Sequence, residues 1–332
     1  MGLDKEFIES KDIRNIYIAN QILEKYKFPI NLGEKEKHAI IYSILNNFSL
    51  NKKPFLVSLV TDMENLGLNI QEIYGMIVNM SVSGKVSEEL SYSCTNILSN
   101  QNEARRTIGQ YKDKIQTSVT KATILEAMAN NIDESDIKSK LINLGIDKEI
   151  ISVVPAKNLY IAEKILEGYN FNRDINFEEK KAILSAILNN KLMKKSNALI
   201  SLIKYMERVN LNQQEIYGMI INLGINNKVI GKAGYNYSSL LMNSKNCCQT
   251  IKQYKGEIQT NVTEETIQKA LKKINKGKKI KSKNIAQSTM ELTVEGRGGS
   301  QICDDVQADY QRLMLERTKE NKKEGSEQDV SN

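Results

Sequence analysis

The chain is written twice. Gly2-Leu3-Asp4-Lys5-Glu6-Phe7-Ile8 returns as Gly145-Ile146-Asp147-Lys148-Glu149-Ile150-Ile151. Gln71-Glu72-Ile73-Tyr74-Gly75-Met76 returns unchanged as Gln214-Glu215-Ile216-Tyr217-Gly218-Met219, and Ile137-Lys138-Ser139-Lys140 as Ile280-Lys281-Ser282-Lys283. Every pair is separated by 143 positions, so the copies align without a gap. Whatever structure one copy adopts, the other must support as well. Each copy is far longer than the units of roughly 20–45 residues that stack into solenoids, so each can bury a core of its own.

Reading the copies against each other settles segments that one copy leaves ambiguous. Phe55-Leu56-Val57-Ser58-Leu59-Val60 alone reads as a buried strand, but its counterpart from Ala198 continues through Leu202, Ile203 and Met206 at helical spacing. Ile18, Ile22 and Tyr26 line one helical face, as do Ile161, Ile165 and Tyr169, and each set is followed by a phenylalanine, Phe28 and Phe171. Ile40, Ile44 and Leu45 repeat the pattern with Ile183, Ile187 and Leu188. Asn69 lies three residues before Glu72 and Asn212 three before Glu215, the spacing of a capping box. Thr120 and Thr263 read as caps of later helices. Asn46-Asn47 and Asn189-Asn190 follow apolar runs, where asparagine tolerates the left-handed conformation that ends a helix.

Only three prolines and no tryptophan argue against a turn-rich β protein. The expected fold is all-α, with about six or seven helices per copy. The organisation expected is copy one over residues 1–143, copy two over 144–287 and a tail over 288–332. In the tail, Gly296-Arg297-Gly298-Gly299-Ser300 reads as a flexible link. Asp304 to Lys322 reads as an amphipathic helix using Val306, Tyr310, Leu313 and Met314, before a polar end.

Several function classes find no support. No apolar run approaches the length of a membrane span, and the first residues carry no signal-peptide core. A Met1-Gly2 start suggests myristoylation, but Glu6 stands where that motif needs Ser or Thr. Cys94, Cys247, Cys248 and Cys303 have no metal or redox spacing, and their counterparts in the other copy are not cysteine: Cys94 matches Tyr237, and Cys247-Cys248 match Ala104-Arg105. Free thiols in a reducing compartment are expected. The single histidine, His38, becomes Lys181 in copy two, so no symmetric histidine site exists. Gly231-Lys232 resembles a phosphate loop only superficially, because Gly224 is too far upstream and Ala233 replaces the hydroxyl residue. No catalytic residue, cofactor or metal ligand is assigned, and the chain reads as a non-enzyme.

Three sets of residues carry the functional reading. In the Gln71–Met76 block, Ile73, Met76 and Ile77 share a core face, while Gly75 would let another helix approach closely. The alternative is a pair of equivalent contact pockets using Tyr74 and Tyr217. Gln110 and Lys112, with their twins Gln253 and Lys255, form either a partner-contact face or a solvated helix surface. The third set is electrostatic. Copy one has Asn130-Asn131-Ile132-Asp133-Glu134-Ser135-Asp136 where copy two has Lys273-Ile274-Asn275-Lys276-Gly277-Lys278-Lys279. The lysine run from Lys272 to Lys283 is large enough to account for the formal charge of +7. It reads as a solvated linker, as an anion contact through Lys276, Lys278, Lys279, Lys281 and Lys283, or as a nuclear-import-like address. With neither arginine nor interleaved stacking aromatics, binding to nucleic acid or acidic lipid would be weak and salt-sensitive.

These observations favour an intracellular protein-binding module or scaffold built by tandem duplication. The alternatives are a nucleic-acid or acidic-surface binder using the lysine run, and an effector exported from an intracellular bacterium into a host cell, suggested by the polar Glu/Lys tail with Glu316, Glu320, Glu324 and Glu327.

Overall fold

A computed structural model describes residues 4–47, 50, 55–85, 101–227 and 244–274. The lysines from Lys276 to Lys283, the expected tail link and tail helix, Cys94, Cys303 and Gly231-Lys232 lie outside the described residues. Among those described, the regular elements are all helical. Copy one contributes α1 (Lys5–Glu9), α2 (Ile13–Lys25), α3 (Glu34–Asn46), α4 (Phe55–Asn65), α5 (Ile70–Ser83), α6 (Gln101–Tyr111), α7 (Lys121–Asn130) and α8 (Glu134–Asn143). Copy two contributes α9 (Lys148–Val153), α10 (Ala156–Gly168), α11 (Phe177–Leu188), α12 (Ala198–Arg208), α13 (Gln213–Asn226), α14 (Ser244–Tyr254) and α15 over 264–274. Helices α2, α4, α5 and α6 begin and end at the positions 143 residues before α10, α12, α13 and α14. No helix is long and apolar enough to cross a membrane among the described residues.

Local chemistry explains these boundaries. Asn69 and Asn212 each close a capping box with Glu72 and Glu215, satisfying amides that the first helical turn leaves unpaired. The Thr120 side chain accepts from Thr123 N, and Thr263 from Thr266 N at 3.3 Å. Helices α4 and α5 are followed by left-handed Gly67 (φ +77°) and Gly84 (φ +67°). Their counterparts after α12 and α13 are Asn210 (φ +59°) and Asn227 (φ +55°), and asparagine is the side chain that best tolerates this conformation.

The expectation of left-handed asparagines at Asn47 and Asn189 is corrected. Their φ values are −69° and −76°. Instead Asn47 Oδ1 accepts from Leu50 N at 3.2 Å, and Asn190 Oδ1 from Leu192 N at 3.0 Å. These side chains start the next turn rather than end the last helix, because a side-chain acceptor two or three residues ahead of a free amide competes with the helical path.

Residues 1–274 form one compact unit containing two apolar clusters. The first gathers α2 to α6 around Ile22, Ile40, Met63 and Ile77. The second gathers α10 to α15 around Ile161, Ile183, Leu199 and Ile220, and it also recruits Ala122 and Ala129 from α7 and Ile137 and Leu141 from α8. Ile124 and Ala127, on the opposite face of α7, belong to the first cluster. One helix is therefore a wall of both cores.

Inside each copy, a single glycine governs how closely the chain returns. A Cβ on Gly75 would lie 1.7 Å from Thr117 O, and one on Gly218 1.6 Å from Thr260 O. The close approach expected from the sequence is present, but the visitor is the irregular segment before α7 or α15 rather than a helix. Gly75→Ala and Gly218→Ala should each cost at least about 3 kcal/mol in urea unfolding, since backbone rather than a mobile side chain blocks the methyl. Gly109→Ala is the contrast: the added Cβ would meet Leu66 at an ordinary 3.5 Å, so better helix propensity should stabilise by about 0.5–1 kcal/mol.

Candidate functional site

The residues identical in the two copies fall first into a structural clamp. Gln71 closes the end of α2, its Oε1 accepting from Lys27 N (2.9 Å) and its Nε2 donating to Lys25 O (2.8 Å). Gln214 does the same with Asn170 N and Gly168 O, both at 2.8 Å. Asn79 Nδ2 donates to Gln116 O and Ser118 O at 3.0 Å each, and Asn222 to Gln259 O and Asn261 O at the same distances. Val119 N donates to Tyr26 Oη (2.8 Å) and Val262 N to Tyr169 Oη (2.9 Å). These contacts hold the segment that passes over Gly75 or Gly218. Asn79 and Asn222 were not singled out from the sequence, although one signal was available: a polar residue kept in both copies inside an apolar helix.

Of the sequence candidates, Tyr74 and Tyr217 keep only 5% and 6% of their surface exposed. Gln110, Lys112, Gln253 and Lys255 are exposed. Lys112 Nζ reaches Leu66 O at 3.2 Å and Lys255 Nζ reaches Asn210 O at 3.3 Å, so both lysines sit at the carbonyl-rich ends of α4 and α12, where a cation is favoured.

Several residues that differ between the copies, Glu126, Lys157, Glu163 and Lys204 among them, meet at the seam between them. Helix α7 packs against α10 and α12, and α8 against α10. Glu126 on α7 lies 2.8 Å from Lys157 Nζ of α10 and 2.7 Å from Lys204 Nζ of α12, with Glu126 and Lys204 buried and Lys157 nearly so. Lys140 of α8 pairs with Glu163 and, at 3.2 Å, with Glu167. Glu207 of α12 accepts from Ala122 N at 3.0 Å, capping the first turn of α7 from the other copy. Burial pushes the Glu207 carboxyl above the usual range, against the lowering effect of Thr120, Ala122 N and the nearby Lys204 and Lys121. Its Oε2 is buried with no hydrogen-bond partner among the described residues.

Two copies in series make one junction, and the positions equivalent to its contacts have been rewritten at the outer ends. Ala122, Leu125, Glu126 and Ala129 of α7 correspond to Glu265, Gln268, Lys269 and Lys272 of α15. The first four are buried or half-buried, and the second four are exposed. Lys157 and Lys204 correspond to Arg14 and Thr61. A second rewritten pair lies within the copies: buried Asp62 pairs with Arg105 in copy one, where copy two has Tyr205 and Cys248, with Cys248 Sγ 3.7 Å from Tyr205 O.

Two clefts flank α7 along the seam. One, of about 630 Å³, is lined by His38, Met128, Asp136, Lys140, Tyr160 and Glu163. The other, of about 520 Å³, is lined by Ile30, Leu125, Glu167, Ile203, Glu207 and Tyr217. In the first, burial and then Glu163 push the Tyr160 hydroxyl up to about 12, so it stays protonated and points its proton at Met128 Sδ, 3.9 Å away. His38 lies nearly parallel to Tyr42 with ring centroids 6.2 Å apart. Elsewhere, the buried Cys247 thiol is pushed up to about 12 by burial and remains a thiol. No group of three His, Cys, Asp or Glu side chains is arranged for a metal ion among the described residues. Comparison with known protein families, curated proteins and solved structures finds no match for this chain.

Two outcomes follow from the seam. Glu126→Gln should cost about 3–5 kcal/mol in urea unfolding, because two buried ammonium groups lose their counter-charge; the triple change Glu126→Leu, Lys157→Met, Lys204→Met should recover most of that loss. Glu207→Gln tests the raised carboxyl. Its folded value lies above its unfolded one, so its stabilising contribution is complete below the unfolded value and is lost as pH rises through the folded value. Glu207→Gln should therefore gain on the parent protein as pH rises upward from the usual carboxylate range, with the carboxylates of Glu167, Glu179 and Glu264 common to both. A difference in thermal unfolding that stays constant with pH refutes the assignment.

Proposed function

We propose that this chain is a non-enzymatic protein-binding scaffold that holds two related helical surfaces at fixed separation. One observation carries the reading: Gln110 and Gln253 stay exposed at equivalent positions of a single compact unit, whereas the repeated amides Gln71, Asn79, Gln214 and Asn222 are used internally. A solvated glutamine has no folding reason to be kept twice, and a partner touching both copies gives it one. The paired charges of the seam support rigid coupling of the two surfaces, the condition under which a second contact gains effective concentration.

The test is capture from lysate by the full chain at two salt concentrations, with bound proteins quantified by mass spectrometry. Gln110→Glu or Gln253→Glu alone should weaken retention of a discrete protein several-fold, and the two together by more than tenfold, at both salts. Unchanged capture by the double variant sinks the reading. Nucleic acid or acidic lipid retained only at low salt, and lost on Lys276, Lys278, Lys279 and Lys281→Gln, favours the lysine run instead.

A further inference from the structure

In copy two, the groove between α10 and α12 holds a helix, α7. The equivalent groove of copy one, between the packed helices α2 and α4, faces solvent. Ile13 is 74% exposed and Tyr17 61%, whereas their counterparts Ala156 and Tyr160 pack against the second core. Val57 is 37% exposed and its counterpart Ile200 is 1% exposed. Ile13 and Tyr17 stand four residues apart on one helical face, as Val57 and Thr61 do on the other wall. Isolated apolar side chains at a surface need no explanation, but an apolar face matching one that already holds a helix does.

A second retained feature points the same way. Glu207 reaches across the seam to cap the first turn of α7, and its counterpart Glu64 is also glutamate, exposed at the same end of the groove. Lys157, which receives the acid of α7, has Arg14 as its counterpart, so one wall of the groove keeps its cation, held here by Asp12 at 3.1 Å, which an incoming acid would share or displace.

We infer that the α2–α4 groove of copy one docks an amphipathic helix of another protein, with Ile13, Tyr17 and Val57 as its apolar floor, Arg14 pairing an acidic side chain and Glu64 capping the incoming N-terminus. The occupant's chemistry is read from α7. It presents small or aliphatic residues at the spacing of Ala122, Leu125 and Ala129, and an acid at the position of Glu126. A second copy of this chain does not fit. Its equivalent helix, α15, would bring Glu265, Gln268 and Lys272 onto the apolar floor and set Lys269 against Arg14. The inference rests on the protein-binding reading, but on a different surface from Gln110 and Gln253.

The probe is a fluorescein-labelled peptide with Ala, Leu, Glu and Ala at the spacing of those four α7 residues, stapled on its opposite face to fix the helix. Its fluorescence anisotropy is measured against the full chain. Saturable binding is expected, weakened more than tenfold by Tyr17→Glu or by Glu→Lys in the peptide, and several-fold by Glu64→Ala. Phe177→Glu, at a 52% exposed site on α11, should leave it unchanged. Tyr17 and Glu64 are both exposed, so circular dichroism should report the parent fold in each variant. Absence of saturable binding, or binding indifferent to Tyr17→Glu, overturns the inference. So does self-association in sedimentation that Tyr17→Glu abolishes, since the occupant would then be a second copy. Peptide binding that survives alongside unchanged capture by the Gln110/Gln253 double variant separates failure of the bivalent reading from failure of this one.

Discussion

Glu126, held between Lys157 and Lys204, is the contact on which the arrangement of the two repeats turns. It sits on the one helix that contributes to both apolar clusters, and its two partners come from the two walls of the groove that receives that helix. Ions removed from water are tolerated only when paired with good geometry. A groove with one buried and one nearly buried lysine therefore accepts a helix carrying an acid and discriminates against one carrying a base. The apolar residues beside it, Ala122, Leu125 and Ala129, supply non-directional attraction; the charges decide which helix fits.

The seam is a head-to-tail contact, in which the end of one copy meets the beginning of the next. Such contacts propagate into open assemblies unless the outer ends are altered. Here the outer ends depart from the inner pattern to different degrees. Helix α15 carries Glu265, Gln268, Lys269 and Lys272 outward, whereas the α2–α4 groove loses one cation, Thr61 standing for Lys204, and keeps the other as Arg14. One end has become polar and the other has kept an apolar face. That asymmetry is a property of the pair and is invisible in either copy alone.

Within each copy the tight return of the chain over Gly75 or Gly218 organises the remaining polar groups. A carbonyl can lie that close only where the Cβ is missing, and the backbone of the passing segment must then find partners away from water. Asn79, Tyr26 and their twins provide them. The Gln71–Met76 block was legible as a constraint because it is repeated without change. The segment it constrains, residues 115–120, was not, because its hydrogen bonds come from side chains about 40 or 90 positions away.

Sequence alone determined the helical class, the 143-residue repeat and the helix starts at Asn69, Thr120, Asn212 and Thr263, because periodicity and side-chain caps depend on residues within a few positions of one another. It also exposed the charge divergence of the copies, but attached it to the lysine run rather than to Glu126, Lys157 and Lys204. Those three lie 31 and 78 positions apart and become neighbours only when α7 enters the α10–α12 groove. Likewise nothing in the sequence sets Ile13 and Tyr17 apart from their covered counterparts Ala156 and Tyr160. Which face of an amphipathic helix is covered depends on what packs there, and for this face of α2 nothing described does. Tertiary structure alone decided that one helix serves two cores and that one of two equivalent grooves stays open, because both are consequences of packing between segments that carry no local signal of each other.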